Sequence, residues 1–410
     1  MKRSRTALFA TILMTVLAGP AGAQVAIEPE GMMETVRFLS GAQFMGRGIG
    51  TPELDRAAAF IASRFEAVGL LPGGSNGSWF QEWTDPETGA RMRNVVGVLP
   101  GRSPELGRES VVIGAHYDHL GTNGASKESA GKVHPGADDN ASGVAVLLEL
   151  ASRLPLVANM ERPVVFVAFT GEEEGRKGSR YYVRNEMRYP AAKAIAMINL
   201  DTVGRLRKGK LIVLGSGSAK EWPALFQETA RSLQIEIAEL AQELDSSDQK
   251  SFQEAGVPAV QLFTGPHADY HRPTDTADKI DGKGLAKVAT LARATAFYLA
   301  NRAEPLHAAI TSSPAGAPAP RTDRKVTLGI VPDFTYNEQG VRLGGTAPDG
   351  PAEKAGLRTG DVVIQAGGAP IVVLKDLSDA LKAKQPGDRL TVKFLRNGKE
   401  MIVDVVVRER

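Results

Sequence analysis

The sequence predicts an α/β fold: a three-layer α/β/α domain around a mostly parallel mixed sheet, followed by a small β-rich domain. Three observations carry that expectation. Between residues 110 and 263, continuous apolar runs rich in β-branched residues alternate with helical patterns, as in a parallel sheet covered on both faces. The stretch 306–324, LHAAITSSPAGAPAPRTDR, is rich in Ala, Pro and Ser and has neither strand nor helix periodicity, so it reads as a linker. The chain's 410 residues leave room for two or three domains at about 100 to 200 residues each.

The elements follow in chain order. MKRSRTALFATILMTVLAGPAGAQ has a basic start, a short apolar core and the small-x-small end Ala21-Gly22-Ala23, the three parts of a secretory signal peptide. Residues 1–23 are therefore expected to be removed after Ala23, and the protein to be exported to the periplasm or secreted. The apolar run is shorter than the roughly 20 residues that span a bilayer, and no later segment is long enough, so no membrane span is expected in the mature protein. Residues 24–305 form the α/β/α domain: SVVIGAH, RPVVFVAFT, AIAMINLD and PAVQLFTG read as strands, GVAVLLELASRL and SRYYVRNEM as helices. Residues 306–324 are the linker and residues 325–410 the second domain.

Composition excludes several classes of function. The net charge of +2 is small for this length, and no basic block or aromatic-basic interleaving points to nucleic acid. The chain has no Cys, so no disulfide staples the fold and no thiolate serves as nucleophile or metal ligand. Any metal must sit on His and carboxylate.

Those residue types collect after the strands. VVIGAHYDHLG brings His116, Asp118 and His119; VVFVAFTGEEEG brings Glu172, Glu173 and Glu174; AIAMINLDTVG brings Asp201; LFTGPHADYHRPTDT brings His267, Asp269 and His271. HPGADDNASG places Asp138 and Asp139 before a helix. A lone carboxylate there would be read as a helix cap, and Asn140 and Ser142 suit that role. In open α/β sheets ligands bind outside the carboxyl ends of strands, which is where all five clusters fall. If Asp138, Glu173 and Asp201 converge, repulsion would force at least one to protonate unless cations intervene. Two divalent cations remove the conflict, and imidazole plus carboxylate suits zinc most readily, with manganese or cobalt possible.

The motifs GAHYDHLG, PGADDNASG, TGEEEGRKGS, NLDTVG and YHRPTDT, in that order, resemble the co-catalytic di-zinc aminopeptidases of clan MH, the bacterial leucine aminopeptidase type related to glutamate carboxypeptidase. The resemblance covers roughly residues 32 to 300 and includes the upstream MGRGIGTPELDRAAAFIASRFEAVGL. It implies two zinc ions, His116 and Asp201 on one, Glu173 and His271 on the other, and Asp138 bridging them, with Asp139 following through a cis peptide. Asp118 would orient the His116 ring. Adjacent residues in extended backbone point opposite ways, so the two glutamates cannot easily ligate one metal from the same side, and the resemblance implies Glu173 as ligand and Glu172 as general base for a metal-bridging hydroxide. The activity implied is removal of N-terminal residues from peptides. Alternatives are a carboxypeptidase or a glutaminyl cyclase on the same fold, or an inactive binding protein. The cyclase type uses a single zinc, against which both His116 and Asp201 speak; the inactive form predicts lost ligands or a lost base, and neither is lost. Gln249, in SSDQKSF, stands where relatives often carry His. His119, His134 and His267 could line the cleft but read first as hydrogen-bonded structural histidines, and Glu174 reads as a solvated charge.

The second domain, with KVTLGIVPDF, GPAEKAGLRTGDVVIQAGGAPI and LKDLSDALKAK, resembles a PDZ domain of the bacterial periplasmic protease kind. That implies capture of polypeptide C-termini, the carboxylate meeting backbone N–H groups of Leu328, Gly329 and Ile330, with LSDALKAK as the flanking helix.

Overall fold

The structure is a computed structural model and describes residues 26–123, 131–157, 160–185, 187–242, 247–310, 326–334, 336, 338–347 and 349–409. The expected signal peptide and residues 311–324 of the expected linker lie outside the described residues. The chain forms two compact units, with the bulk of one before Pro314 and the bulk of the other from Pro314 onward.

In the first unit, helices α1 (Pro29–Leu39) and α2 (Pro52–Ala67) precede strands β1 (Leu71–Pro72), β2 (Phe80–Thr84) and β3 (Arg91–Leu99). Then follow β4 (Ser110–His116), α3 (Gly143–Val157), β5 (Val164–Phe169), α4 (Lys177–Arg184), β6 (Ala194–Leu200), β7 (Leu211–Leu214), α5 (Trp222–Leu233), β8 (Ile237–Leu240), α6 (Gln249–Glu254), β9 (Ala259–Phe263) and α7 (Gly282–Asn301). Local chemistry sets several starts. Thr51 caps α2 by accepting the Leu54 N–H at 3.3 Å, Pro52 fills the first helical position, and Glu53 and Asp55 face the positive end of the dipole.

The strands order as β1-β3-β5-β4-β6-β9-β7-β8, with β2 also paired to β3. The centre is parallel: β4 pairs with β5 and β6, and β6 with β9, all in the same direction. β3 joins β5 and β7 joins β9 antiparallel, so the sheet is mixed and mostly parallel, as expected. Every residue of β4, β5 and β6 is buried, which is why these strands read as unbroken apolar runs. Alternate residues serve opposite layers. Val111, Ile113 and Ala115 of β4 share a core with Val36, Ile61, Leu147 and Leu299 of the helices on one face; Val112 packs with Val165, Phe169, Tyr182 and Phe252 on the other. The three-layer α/β/α reading therefore holds residue by residue. His116 closes β4, Leu200 closes β6 immediately before Asp201, and Phe169 closes β5 three residues before Glu172. Parallel direction puts these ends on one edge.

The first unit extends past the boundary expected at 305. Leu306 is buried in its core, the His307 carbonyl accepts the Lys220 N–H at 3.1 Å, and the Ala309 N–H donates to Ser218 O at 2.9 Å. These residues were expected to begin the linker. Their backbone groups instead pair with the loop before α5.

In the second unit β10 (Val326–Thr327), β11 (Ile330–Pro332), β12 (Val341–Thr346), α8 (Pro351–Lys354), β13 (Val362–Ala366), β14 (Ala369–Pro370), α9 (Leu374–Lys382), β15 (Arg389–Arg396), β16 (Lys399–Val406) and β17 (Arg408–Glu409) follow one another. The main sheet orders β11-β12-β13-β15-β16, entirely antiparallel, and β10 pairs with β17. Leu377 and Leu381, one turn apart on α9, bury against Val363, Leu390, Val392 and Phe394. The expected flanking helix 377–384 is thus present, beginning three residues earlier. Leu328 is buried, and Gly329, in the left-handed region at φ 67°, donates its N–H to Thr327 Oγ1 at 3.0 Å.

Candidate metal centre

The carboxyl edge of the first unit's sheet gathers two imidazoles and two further carboxylates around Asp139. His116 Nε2 lies 3.3 Å from Asp139 Oδ1 and 3.4 Å from Asp201 Oδ1. His271 Nε2 lies 3.1 Å from Asp139 Oδ2 and 3.1 Å from Glu173 Oε2. A third imidazole joins them, His119 Nδ1 standing 2.7 Å from Glu173 Oε1. His116, Asp139 and Asp201 form one group of donor atoms within 4.8 Å of one another, and His119, Asp139 and Glu173 form a second. Asp139 belongs to both.

That corrects the expectation for the Asp pair. Asp138 does not point into the cluster: its Oδ1 accepts the Gly204 N–H at 2.6 Å, and its Oδ2 lies 3.7 Å from Arg205 Nε. It ties its own loop to the loop that follows Asp201. The position shared by both donor groups falls to the second Asp, one residue later than expected, and the cis peptide is Asp139–Asn140 rather than the bond between the two Asp residues. The reason is local. Asp275 Oδ2 accepts the N–H groups of both Asp138 (2.9 Å) and Asp139 (3.1 Å), which fixes the loop so that successive side chains diverge. Arg205 Nη2 neutralises Asp275 from the other side at 2.8 Å.

Asn140 and Ser142 start the helix as expected and do more. Asn140 Oδ1 accepts the Gly143 N–H at 3.0 Å, a capping contact, while its Nδ2 donates to Leu200 O (2.9 Å) and His116 O (3.3 Å). One amide therefore fastens α3 to the ends of β4 and β6. Ser142 Oγ donates to Asp138 O at 2.7 Å and accepts the Val203 N–H at 3.0 Å.

Asp118 acts on three neighbours. Its backbone carbonyl lies 3.2 Å from His116 Nδ1, which leaves Nε2 as the ring nitrogen that faces the cluster. Its carboxylate accepts the N–H groups of Glu172 (3.2 Å) and Glu173 (3.4 Å), so it also holds the turn carrying both glutamates.

The electrostatics suit a cation. Burial alone would raise Asp139 and Glu173, yet nearby imidazoles hold both well below the usual carboxylate range. Burial would lower His116 and His271, but the adjoining carboxylates keep His116 well above its usual value and His271 up at about 10. Asp139 and Glu173 are set against imidazole rings that hold protons, and a divalent ion could take the place of those protons. The donor set, imidazole and carboxylate oxygen without thiolate, fits zinc. Burial pushes Glu172 well above the carboxylate range, with Glu173, Asp248 and Asp201 adding to it and His116 opposing. Asp248, at the start of α6, is fully buried and pushed up to about 6.

The remaining candidates lie apart from the cluster. Gln249 is buried and accepts a hydrogen bond from Asn199 Nδ2 of β6 at 3.2 Å, a packing role. Glu174 is exposed and pairs with Lys177 at 3.1 Å. His119, read from sequence as structural, is drawn in because the loop after β4 turns back toward Glu173. Asp275 was visible in the motif YHRPTDT without a role; Arg205 and Asp248 carried no signal of spacing, since each reaches the site from a different loop.

Comparison with known proteins completes the picture. Residues 94–296 match the model of Peptidase family M28, and residues 327–407 match the PDZ domain. Aminopeptidase YwaD of Bacillus subtilis is 28% identical over 223 residues, covering 51% of this chain and 45% of that protein. The chain spans about half to two thirds of the length of the curated relatives it matches. A solved zinc aminopeptidase from Bacillus subtilis superposes with a TM-score of 0.55 at 18% identity, covering 70% of this chain and 100% of that one. Glutaminyl cyclase of Bacteroides thetaiotaomicron superposes with a TM-score of 0.53 at 19% identity, covering 66% and 98%. Both share the fold.

Proposed function

The chain belongs to Peptidase family M28 through residues 94–296 and carries a PDZ domain at 327–407, and from that premise we propose that it is an exported metallo-aminopeptidase releasing N-terminal residues from peptides. The observation that carries the proposal is that His116 and His271 face the two oxygens of Asp139, one each, and that each imidazole also meets a second carboxylate, Asp201 for His116 and Glu173 for His271. His116 and Asp201 would hold one zinc ion, His271 and Glu173 the other, with Asp139 shared. Ions so held lower the pKa of water and polarise a carbonyl. Among the described residues no helix is long and apolar enough to cross a membrane, which is compatible with export.

Glu172 is the proton carrier. Its raised affinity for protons suits it to accept one from the attacking water at its carboxylate and deliver it to the departing amine. Asp118 aims it, because the carboxylate that accepts the Glu172 N–H also accepts that of Glu173. The ligand and the base are thereby set by one buried group. Asp138 and Asp275 hold the loop that presents Asp139. In the second domain, Leu328, Gly329 and Ile330 would receive a polypeptide C-terminus.

Glutaminyl cyclase is the second reading, favoured by the shared fold. The presence of both His116 and Asp201 beside Asp139 speaks for two ions and for hydrolysis. Turnover of aminoacyl-anilides beside N-blocked peptides and N-terminal glutaminyl peptides, with and without a chelator, separates the possibilities. Chelator-sensitive release only from free N-termini is expected. Cyclisation without hydrolysis would replace the aminopeptidase reading. Export is checked separately by N-terminal sequencing, which should find Gln24 first.

A further inference from the structure

Arg47, which takes no part in the chemistry above, holds two of the site's loops at once. It is 1% exposed. Its Nε donates to Tyr117 O at 2.9 Å, its Nη1 donates to Pro135 O at 2.9 Å and to Leu39 O, and its Nη2 donates to Gly136 O at 2.9 Å. Its own carbonyl accepts the His119 N–H at 3.1 Å. Tyr117 follows His116 directly, and Pro135 and Gly136 lead into Asp138 and Asp139. One residue, through its side chain and its own carbonyl, thus grips peptide groups beside both imidazoles of the first loop, and through its side chain those introducing the shared carboxylate of the second.

The backbone here is shaped for that grip. Gly46 has φ 76°, and a Cβ on it would lie 2.4 Å from His134 O and 2.7 Å from Gly121 O. Only glycine lets the chain pass between the two loops. The Gly46 carbonyl also accepts the Gly121 N–H at 3.0 Å. Burial lowers the Arg47 guanidinium to about 10, opposed by the charges of Asp118, Asp139, Asp275 and Glu173, so it stays cationic at neutral pH beneath the carboxylates.

We propose that Arg47 is a positioning residue for the metal centre, setting the separation of His116 from Asp139 by clamping the backbone of both loops. The inference rests on reading the cluster as a metal site. A guanidinium is required because its rigid fork serves four carbonyls in three separate segments; a lysine ammonium has three donors on a flexible stem and cannot reach them all.

The test titrates zinc into metal-free full-length protein, comparing wild type with Arg47→Lys and Arg47→Ala, and then measures kcat and KM on an aminoacyl-anilide. Arg162→Lys is the control. Arg162 is also fully buried and caps backbone carbonyls, donating to Arg302 O and Ala303 O and pairing with Glu109 at 2.8 Å, but it precedes β5 at the opposite edge of the sheet. Both Arg47 variants should bind zinc about 10- to 100-fold more weakly, the range seen when groups that orient metal ligands are removed. Their kcat should fall with KM little changed, and methylguanidinium should restore Arg47→Ala but not Arg47→Lys. Arg162→Lys should lower the melting temperature and leave zinc affinity as in wild type. If Arg47→Ala does not fold, Arg47→Lys decides. Zinc affinity within about two-fold of wild type in the Lys variant, or in a folded Ala variant, overturns the proposal. Wild-type protein that takes up no zinc would overturn the metal reading itself, an outcome visible before any variant is made.

Discussion

Both units bury carboxylates, and they balance them differently. In the PDZ domain, Asp361 is 1% exposed and is met by a fixed cation: Arg396 Nε and Nη2 lie 2.7 Å from its two oxygens, and the Arg358 N–H donates at 2.8 Å. In the peptidase domain, Asp139, Asp201 and Glu173 face imidazoles, whose charge can be removed or exchanged. A buried carboxylate paired with arginine holds structure in place. A buried group of carboxylates set against histidines is open to a metal ion. The same domain shows both arrangements side by side, since Asp275 and Asp138 face Arg205 and serve to fix the loop, while Asp139, one residue on, faces His116 and His271.

The largest effect should come from the residue proposed to move the proton. Glu172→Ala should lose about 10²- to 10⁴-fold in kcat while zinc content, read by metal analysis of the purified protein, stays as in wild type. Near-normal turnover would remove Glu172 from the mechanism and weaken the view that this edge is arranged for chemistry.

The Asp pair gives the next test, because the two positions are predicted to separate. Asp139→Ala removes the carboxylate common to both donor groups and should leave protein that fails to retain two zinc ions. Asp138→Asn keeps the size of the side chain and weakens only the tie to the Gly204 N–H, so zinc should still bind, with turnover reduced by less than in Asp139→Ala. Zinc titration of the two variants decides, and the reverse ranking would restore the sequence-based assignment of the bridge to Asp138.

That assignment shows where sequence reading stops. The layers of the fold were legible because the buried strands are unbroken apolar runs and the helices keep their period, and the loops proposed to hold metal were legible because they lie at the ends of such strands. Within PGADDNASG, however, nothing in the pattern says which Asp faces inward. The answer depends on Asp275, more than 130 positions away, pinning two consecutive N–H groups. His119 is hydrogen-bonded, as read, but its partner Glu173 follows another strand, so nothing local to it signals its place beside the cluster. Arg47 had a visible motif, MGRGIGT, but its partners are backbone carbonyls, which leave no trace in side-chain identity. The linker's first residues were misplaced because Leu306 and Ile310 are isolated apolar residues in an Ala- and Pro-rich run, too little to signal a packed segment.

A smaller effect should follow from unpairing the fixed ion pair of the second domain. Asp361→Asn leaves Arg396 without its bidentate partner, and calorimetry should show a lowered transition for that domain. Hydrolysis of a dipeptide-sized substrate should be unchanged. Loss of that hydrolysis would mean that the PDZ fold contributes to the chemistry, contrary to the comparison.

The smallest expected effect is on small substrates when the PDZ domain is removed, and it depends on where the chain is cut. Ending the chain at Pro305 would strip Leu306 from the core and the His307 and Ala309 pairings from the loop before α5, so loss of activity there could reflect damage to the peptidase domain. Ending it at Thr311 keeps those contacts. The shorter protein should bind zinc and turn over an aminoacyl-anilide as the full chain does, because His116, Asp139, Glu172, Glu173, Asp201 and His271 all precede the cut. Long peptides with a free apolar C-terminus should lose apparent affinity. In the full chain, a terminus held by β-augmentation would raise the effective concentration of the other end at the proposed metal centre. KM measured across peptides of increasing length, for both proteins, reads that gain directly. A length dependence that is the same with and without residues 312–410 would show that the PDZ domain does not recruit substrate, and a fall in anilide turnover with zinc content intact would assign it an activating role instead.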